Sequence, residues 1–445
     1  MGKLFGTDGI RDIAGQYPVN REMGQKLGYS AVRFCKGRNM SRVIVIGRDT
    51  RASGKMLEHA LVSGILSAGG TPYLAGVIPT PGVAYLTREL GGGAGIALSA
   101  SHNPHEYNGF KIFSHEGFKL SEDEENEIET MLLEERGPLP GGINGHVEVV
   151  KDANDRYISF LMKGIHDQFS GIKIIIDCAN GATFRVAPAI FKSLGPDVEA
   201  MFAEPDGTNI NRDCGSEHTE ALCGRVIETM ADLGLAFDGD GDRLIAVDEK
   251  GYRVSGDQIL TICAKMLRDR GELRNNIVVS TIMSNMGFRS SLKHLGIKQV
   301  TTGVGDRRVM EEMKRQDSCL GGEDSGHIIF SDYHTTGDGI LTALQLLYAI
   351  RMFKQPLSEL SNLMRTYPQT LINVPVKTKP DISQVPGLSE TILDIETKLG
   401  DAGRVLVRYS GTEPLCRVMV EGKRLEEIER HARRIADLIT RQLNP

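Results

Sequence analysis

RVIVIGRDTRASG, residues 42–54, is the stretch on which the fold turns. After Arg42, residues 43–47 are a continuous apolar run with β-branched side chains, so 42–47 reads as a buried strand. Arg48–Gly54 then breaks the run with charge, Ser and Gly, and this loop can cap a helix expected over 55–69. A strand expected over 71–76 and another over 95–99 follow. Strand, loop and helix alternating in this way imply an α/β sheet with loops gathered at the strand ends.

The same alternation runs outward from there. A helix is expected over 21–36, before the deciding stretch. Ser121 and Glu124 have capping-box spacing and open an acidic helix to about residue 135, its charges read as a solvated face. GPLPGGING at 137–145 is a Pro/Gly breaker. Strands are expected at 172–177, 234–237, 244–248, 277–280, 328–331, 405–408 and 417–421. Helices are expected at 185–194, 287–295, 338–352 and 425–443, the last with Leu425, Ile428, Ile435, Leu438 and Ile439 on one stripe. Four domains are expected: 1–145, 146–254, 255–366 and 367–445. The first three look like repeats of one βαβ plan, and the fourth is a smaller α+β unit.

Composition narrows the class. The chain has 445 residues, is 40% hydrophobic and carries a net charge of −6, with Lys and Arg spread along it. That argues against a nucleic-acid or anionic-membrane surface. No apolar run approaches the roughly 20 residues that span a bilayer, and the start MGKLFGTDGIRD lacks the apolar core of a signal peptide. Seven scattered cysteines, odd in number and without a CxxC pair, read as reduced and cytoplasmic.

Four loops carry chemistry. DGDGDR at 238–243 alternates Asp238, Asp240 and Asp242 with glycine. Three carboxylates on one face require a cation, and a hard divalent ion such as Mg²⁺ with a substrate phosphate meets that need. An EF-hand is excluded because Arg243 stands where the sharp turn requires glycine. RYSGTEP at 408–414 combines Arg408 with Ser410, Gly411 and Thr412, a phosphate-loop composition, with Arg417 beyond it. GGEDSGH at 321–327 offers Glu323, Ser325 and His327, groups suited to sugar hydroxyls.

LSASHNP at 98–104 holds Ser101 on a tight turn, where a hydroxyl is expected to be exposed at a cleft. His102 is adjacent, but side chains one residue apart in extended backbone point to opposite faces, so a direct Ser–His couple is disfavoured. No GxSxG elbow surrounds the serine, and GGGAGIA at 91–97 is not a dinucleotide fingerprint. Lys111 could move a proton if burial lowers its pKa, with an ordinary exposed lysine as the plainer reading. Arg11, Arg48 and Arg51 stay equally open. A serine, a cation site, a sugar loop and a phosphate loop together imply phosphoryl transfer to and from a phosphorylated sugar.

With those motifs in hand, the chain resembles the α-D-phosphohexomutase superfamily over its whole length, and most closely the phosphoglucosamine mutase branch. The resemblance rests on MGKLFGTDGIR, SASHNP, DGDGDRLIAVDEKG, GEDSGH and RYSGTEP, in that order. It implies three related α/β domains with mixed sheets and a C-terminal α+β domain like the TATA-binding-protein fold, around a central cleft. It implies interconversion of glucosamine 6-phosphate and glucosamine 1-phosphate through a sugar 1,6-bisphosphate, feeding UDP-N-acetylglucosamine for the cell envelope. By the same resemblance Ser101 is a phosphoserine, and with Asp238, Asp240 and Asp242 it binds one Mg²⁺, Arg243 lying beside them. Glu323 and Ser325 hold sugar hydroxyls. Arg408, Ser410, Gly411, Thr412 and Arg417 grip the non-reacting phosphate. Arg11, Lys111 and His327 take acid/base or orienting places. A homodimer is allowed but not required. Asp12, Asp324 and Tyr409 depart from the family pattern, and Asp324 opens the question of substrate preference. The alternatives are a phosphomannomutase/phosphoglucomutase, a non-catalytic phosphosugar sensor and a metal-dependent phosphatase.

Overall fold

The computed structural model describes residues 4–6, 8–134, 139, 145–163, 165, 168–410 and 414–443. The chain forms two compact units, one of Met1–Met283 with Ile297–Leu363 and one of Ser284–Gly296 with Met364–Pro445. Most of the 137–145 breaker lies outside the described residues.

The first unit contains three mixed sheets built on one plan. In the first, Val43–Arg48 lies between Thr71–Val77 and Ala94–Leu98, parallel to both, and Ala94–Leu98 pairs antiparallel with Tyr107–Ser114. In the second, Lys173–Asp177 is parallel to Asp197–Met201 and Leu233–Phe237, and Leu233–Phe237 pairs antiparallel with Leu244–Asp248. In the third, Ile277–Thr281 is parallel to Lys298–Thr302 and Leu320–Gly322, and Leu320–Gly322 pairs antiparallel with Ile328–Phe330. The repeat expected from the pattern is therefore present as topology. Its consequence is positional: the serine turn, the DGDGDR turn and the GEDSGH loop each join the third and fourth strands of their own sheet.

The parallel centre explains the deciding stretch. Ile44, Val45 and Ile46 are fully buried, because helices cover both faces of a parallel sheet. Two of those helices, Arg21–Gly37 and Gly54–Ser67, pack closely through glycine. A Cβ on Gly64 would stand 1.9 Å from the Gln25 carbonyl oxygen, and one on Gly28 would stand 2.3 Å from that of Leu61. Both obstacles are backbone and cannot swing away.

The first sheet also gains Ile10–Ile13, antiparallel to Tyr107–Ser114, and Glu148–Val149, parallel to Thr71–Val77. The Ser121–Glu124 capping box forms, but the acidic helix Glu122–Glu134 is not only a solvated face. Glu125 and Glu129 are buried: Glu125 pairs with Arg307 at 2.6 Å, and Glu129 accepts the Leu4 and Phe5 amides. Sequence-distant partners thus recruit two charges that local pattern assigns to water.

In the second unit Leu415–Gly422 lies antiparallel between Gln369–Pro375 and Gly403–Tyr409. The helix Leu425–Leu443 buries Ile428, Ala432, Ile435 and Ile439 against that sheet. Leu425, expected on the stripe, is the first residue of the helix and is exposed. Helix Met286–His294 belongs to this unit: buried Glu421 accepts the Met286 amide and the Arg404 guanidinium, both at 2.7 Å. Among the described residues no helix is long and apolar enough to cross a membrane, and all seven cysteines are free.

Candidate active site

The turn after Ala94–Leu98 puts Ser101 at φ 52°, left-handed and unusual for serine. Its hydroxyl is fully buried and donates to Asp238 Oδ2 at 2.6 Å. The expectation of an exposed hydroxyl is thus corrected: the DGDGDR turn closes over it. The positive φ also reverses the argument about His102. The backbone is not extended here, and His102 Nδ1 lies 3.4 Å from Ser101 Oγ. Burial first, and then Arg243 and Arg11, lower the imidazole to about 4, so it is neutral at neutral pH.

Asp238, Asp240 and Asp242 are all buried, and one oxygen from each can be chosen so that all lie within 4.8 Å of one another. Gly241, at φ 75°, permits the turn that brings them together. Asp238 Oδ1 accepts the Arg243 amide, and Asp240 Oδ2 accepts the Thr80 hydroxyl at 2.6 Å. Asp240 Oδ1 and Asp242 Oδ1 have no hydrogen-bond partner. Buried carboxylate oxygens left open in a cluster of three are the donor set of a hard divalent cation, so the residues fit Mg²⁺.

Lys111, on Tyr107–Ser114, is almost wholly buried and corrects the reading of a lowered pKa. Its Nζ lies 2.8 Å from Asp240, 3.1 Å from Asp242 and 3.0 Å from Asp8. Burial alone pulls the amine down, but those three carboxylates outweigh it and hold it well above its ordinary value. Lys111 is therefore an ammonium, neither an exposed lysine nor a free-amine base. Asp238, furthest from that charge, is raised well above the usual carboxylate range by burial and by Asp242 and Asp240. Asp242 is held at about 2: burial opposes, but Lys111, His327 and Arg243 win.

Around this core lies an ionic frame. Asp8 accepts Arg11 at 2.7 Å and pairs with Lys119, which also pairs with Asp306. Arg11 reaches Asn103 Oδ1 of the serine turn at 3.3 Å. His327 is buried, with Nε2 at 3.6 Å from Asp306 and 3.9 Å from Asp242, and neither ring nitrogen makes a hydrogen bond. Arg243 lies 3.5 Å from Glu217. Glu323 accepts the Gly305 amide at 3.1 Å, and the Ser325 hydroxyl has no hydrogen-bond partner. Asp324 turns away to the start of helix Gly256–Asp269, where its carbonyl and carboxylate accept the Gly256 and Asp257 amides. Asp12 accepts the amide of its own neighbour, Ile13.

In the second unit Arg408 and Arg417 are direct cross-strand partners. Like charges so placed repel, and burial together with Arg417 lowers Arg408 from its ordinary value. Ser410 is buried and its carbonyl accepts Lys379 at 2.6 Å. Tyr409 packs on the core of this unit. Gly411 and Thr412 lie outside the described residues.

The structure brings Ser101, Asp238, Asp240, Asp242, Lys111, Arg11, Arg243 and His327 together. Sequence reasoning gave no role to Thr80, Lys119, Asp306, Glu217 and Lys379, which lie outside the five motifs, nor to Asp8, although Asp8 stands inside MGKLFGTDGIR.

Comparison with known proteins gives the family. The chain matches Phosphoglucomutase/phosphomannomutase alpha/beta/alpha domain I over residues 2–137, domain II over 155–251, domain III over 255–367 and the C-terminal domain over 371–438. It is 52% identical over 446 residues to the phosphoglucosamine mutase of Syntrophobacter fumaroxidans, with 99% of each chain covered. It is 51% identical over 448 residues to that of Syntrophus aciditrophicus, with 100% of each covered. A phosphoglucomutase/phosphomannomutase family protein from Burkholderia thailandensis shares the fold, with TM-score 0.81, 22% identity and 97% of each chain covered. So does Aspergillus fumigatus N-acetylphosphoglucosamine mutase, solved with GlcNAc-6P and magnesium, with TM-score 0.69, 17% identity, and 99% of this chain and 96% of that one covered. Four ordered domain matches, full-length identity near one half and this fold together establish that the chain belongs to the α-D-phosphohexomutase superfamily, in its phosphoglucosamine mutase branch.

Proposed function

We propose that the protein interconverts glucosamine 6-phosphate and glucosamine 1-phosphate, with Ser101 carrying the phosphoryl group and a glucosamine 1,6-bisphosphate as intermediate. The observation that carries this reading is the buried Ser101 Oγ, 2.6 Å from Asp238, in a carboxylate cluster with two open oxygens. The full-length likeness to phosphoglucosamine mutases supplies the substrate.

In the forward half, the P–O bond to Ser101 breaks as a sugar hydroxyl oxygen bonds to phosphorus, and the proton lost by that hydroxyl ends on the released Ser101 Oγ, restoring the serine hydroxyl. The bisphosphate then turns, and its other phosphoryl group returns to Ser101. Asp238, Asp240 and Asp242 would hold Mg²⁺, with the Ser101 phosphate as a further ligand. When bound, the ion neutralises charge on the transferring group. Lys111 and Arg243 contribute fixed positive charge at the same place, and Arg11 ties its charge to the serine turn through Asn103.

His327 orients the reacting sugar, its two ring nitrogens being open for hydrogen bonds. Glu323 and Ser325 take the sugar hydroxyls. Arg408, Ser410, Gly411, Thr412 and Arg417 take the phosphate that is not reacting, a role supported by the Arg408–Arg417 register. The proposed division is a serine domain at 1–145, a metal domain at 146–254, a sugar domain at 255–366 and a phosphate domain at 367–445. The seven free cysteines fit a reducing, cytoplasmic setting.

Ser101→Ala tests the reading. The variant is expected to fold and to lose nearly all mutase turnover; wild-type-like turnover would sink the phosphoserine assignment. Relative kcat/KM for glucosamine, glucose and mannose phosphates tests the substrate, and a large preference for mannose phosphate would overturn it.

A further inference from the structure

Arg51 lies in the loop that follows strand Val43–Arg48, yet its contacts go to the serine turn. Its side chain and that of Asp49 are completely buried. Nη2 donates to the carbonyls of Ser101 at 2.9 Å and Asn103 at 2.8 Å, and Nη1 donates to the carbonyl of Pro104. Nε donates to Asp49 Oδ2 at 2.9 Å, while Asp49 Oδ1 accepts the Arg51 amide. Asp49 Oδ2 also accepts the Ser99 hydroxyl at 2.6 Å, and that hydroxyl in turn accepts the Ser101 amide at 2.9 Å. Asn211, from the second sheet's loops, donates to the same carbonyls of Ser101 and Asn103, each at 2.9 Å.

One guanidinium therefore takes three carbonyls of a single turn, and the carboxylate that orients it also fixes the serine amide through Ser99. At the centre of this frame is the left-handed Ser101, an uncommon conformation for a residue with a Cβ. A buried pair that only filled space would not need every guanidinium bond outside the pair to end on one turn.

We propose that Arg51, held by Asp49, is a positioning residue for the phosphoryl-carrying serine: it keeps the turn in the left-handed form that aims Ser101 Oγ at the carboxylate cluster. The inference rests on the phosphoserine reading above. Lysine cannot replace it, since a single ammonium cannot span three carbonyls and a carboxylate in one plane.

The test compares full-length wild type, Arg51→Lys, Ser99→Ala and Ser101→Ala. Each is assayed for kcat and KM with glucosamine 6-phosphate and a sugar 1,6-bisphosphate activator, for Tm, and for phosphate on Ser101 by intact mass. For Arg51→Lys the expected result is a fall in kcat on the order of 100-fold from a misaimed nucleophile, with KM unchanged. A folded Arg51→Lys with wild-type kcat overturns the proposal. If Arg51→Lys does not fold, Ser99→Ala decides: a reduced kcat at constant KM supports the frame, and an unchanged kcat overturns it. Turnover in Ser101→Ala would instead refute the phosphoserine reading itself, so the two failures are distinguishable.

Discussion

Three carboxylates within 4.8 Å repel, and the chain meets that repulsion with the ammonium of Lys111 and a hydrogen bond from Ser101. The residues of the proposed cation site were legible because Asp238, Asp240 and Asp242 share one short motif. The state of Lys111 was not, because Asp8 and the aspartates that set it come from 103 to 131 positions away. His102 shows the complementary failure: one dihedral, the positive φ of Ser101, turns a neighbour expected on the opposite face toward the hydroxyl. At this scale Gly337 is a sensitive position. A Cβ there would stand 2.4 Å from the His327 ring, so the ring must move. Gly337→Ala is expected to lower kcat by about tenfold or more through a displaced imidazole, with a far smaller relative change in Tm; steady-state kinetics beside a thermal melt check this.

The expected helices and strands form close to their expected places, but helix Gly256–Asp269 and the strands Asp197–Met201, Lys298–Thr302 and Gln369–Pro375 were not expected. Arg21–Gly37 and Gly54–Ser67 were visible as helices, but their close packing is a property of Gly28 and Gly64 against backbone carbonyls. Gly64→Ala is expected to cost about 1–3 kcal/mol by overpacking, read as a lowered Tm with KM unaffected. The segment after Ile328–Phe330 carries a second element-scale device. His334 Nε2 donates to the Pro81 carbonyl at 3.1 Å, and Nδ1 accepts the Thr335 amide at 2.7 Å, which requires the neutral ring. Burial lowers it to about 3. Because the folded value lies below the unfolded one, this contribution is complete above about pH 6.5 and is lost as pH falls toward 3. Between pH 7 and 5 the wild type should lose about 2 kcal/mol more than His334→Gln; melts of both proteins across that range measure the difference.

At the scale of the molecule, the three repeated sheets place chemically different turns at one topological position, so the site is assembled by repetition. An ion bound by three buried carboxylates of the folded chain, and not by the unfolded one, stabilises by mass action. MgCl₂ at about 100 times its Kd should add about 2.7 kcal/mol, raising Tm, with chelator reversing the rise. Asp240→Asn combined with Asp242→Asn should abolish the effect; an equal rise in that variant places the ion elsewhere. The second unit holds the Arg408–Arg417 pair in strict register, and it captures helix Met286–His294 through Glu421. Nothing local in 284–296 announces that attachment, because the glutamate responsible lies 135 residues along the chain.

Sequence alone determined the α/β class and marked the serine turn, the DGDGDR turn and the GEDSGH and RYSGTEP loops, because each is written in residues within a few positions of one another. Backbone propensity, periodicity and short motifs act at that range. Tertiary structure alone decided that Ser101 is buried rather than exposed, that Lys111 is an ammonium, that Asp324 caps a helix, and that Arg51 grips the serine turn. Those outcomes depend on desolvation and on charges brought together from distant segments, and both come into being only when the sheets have packed.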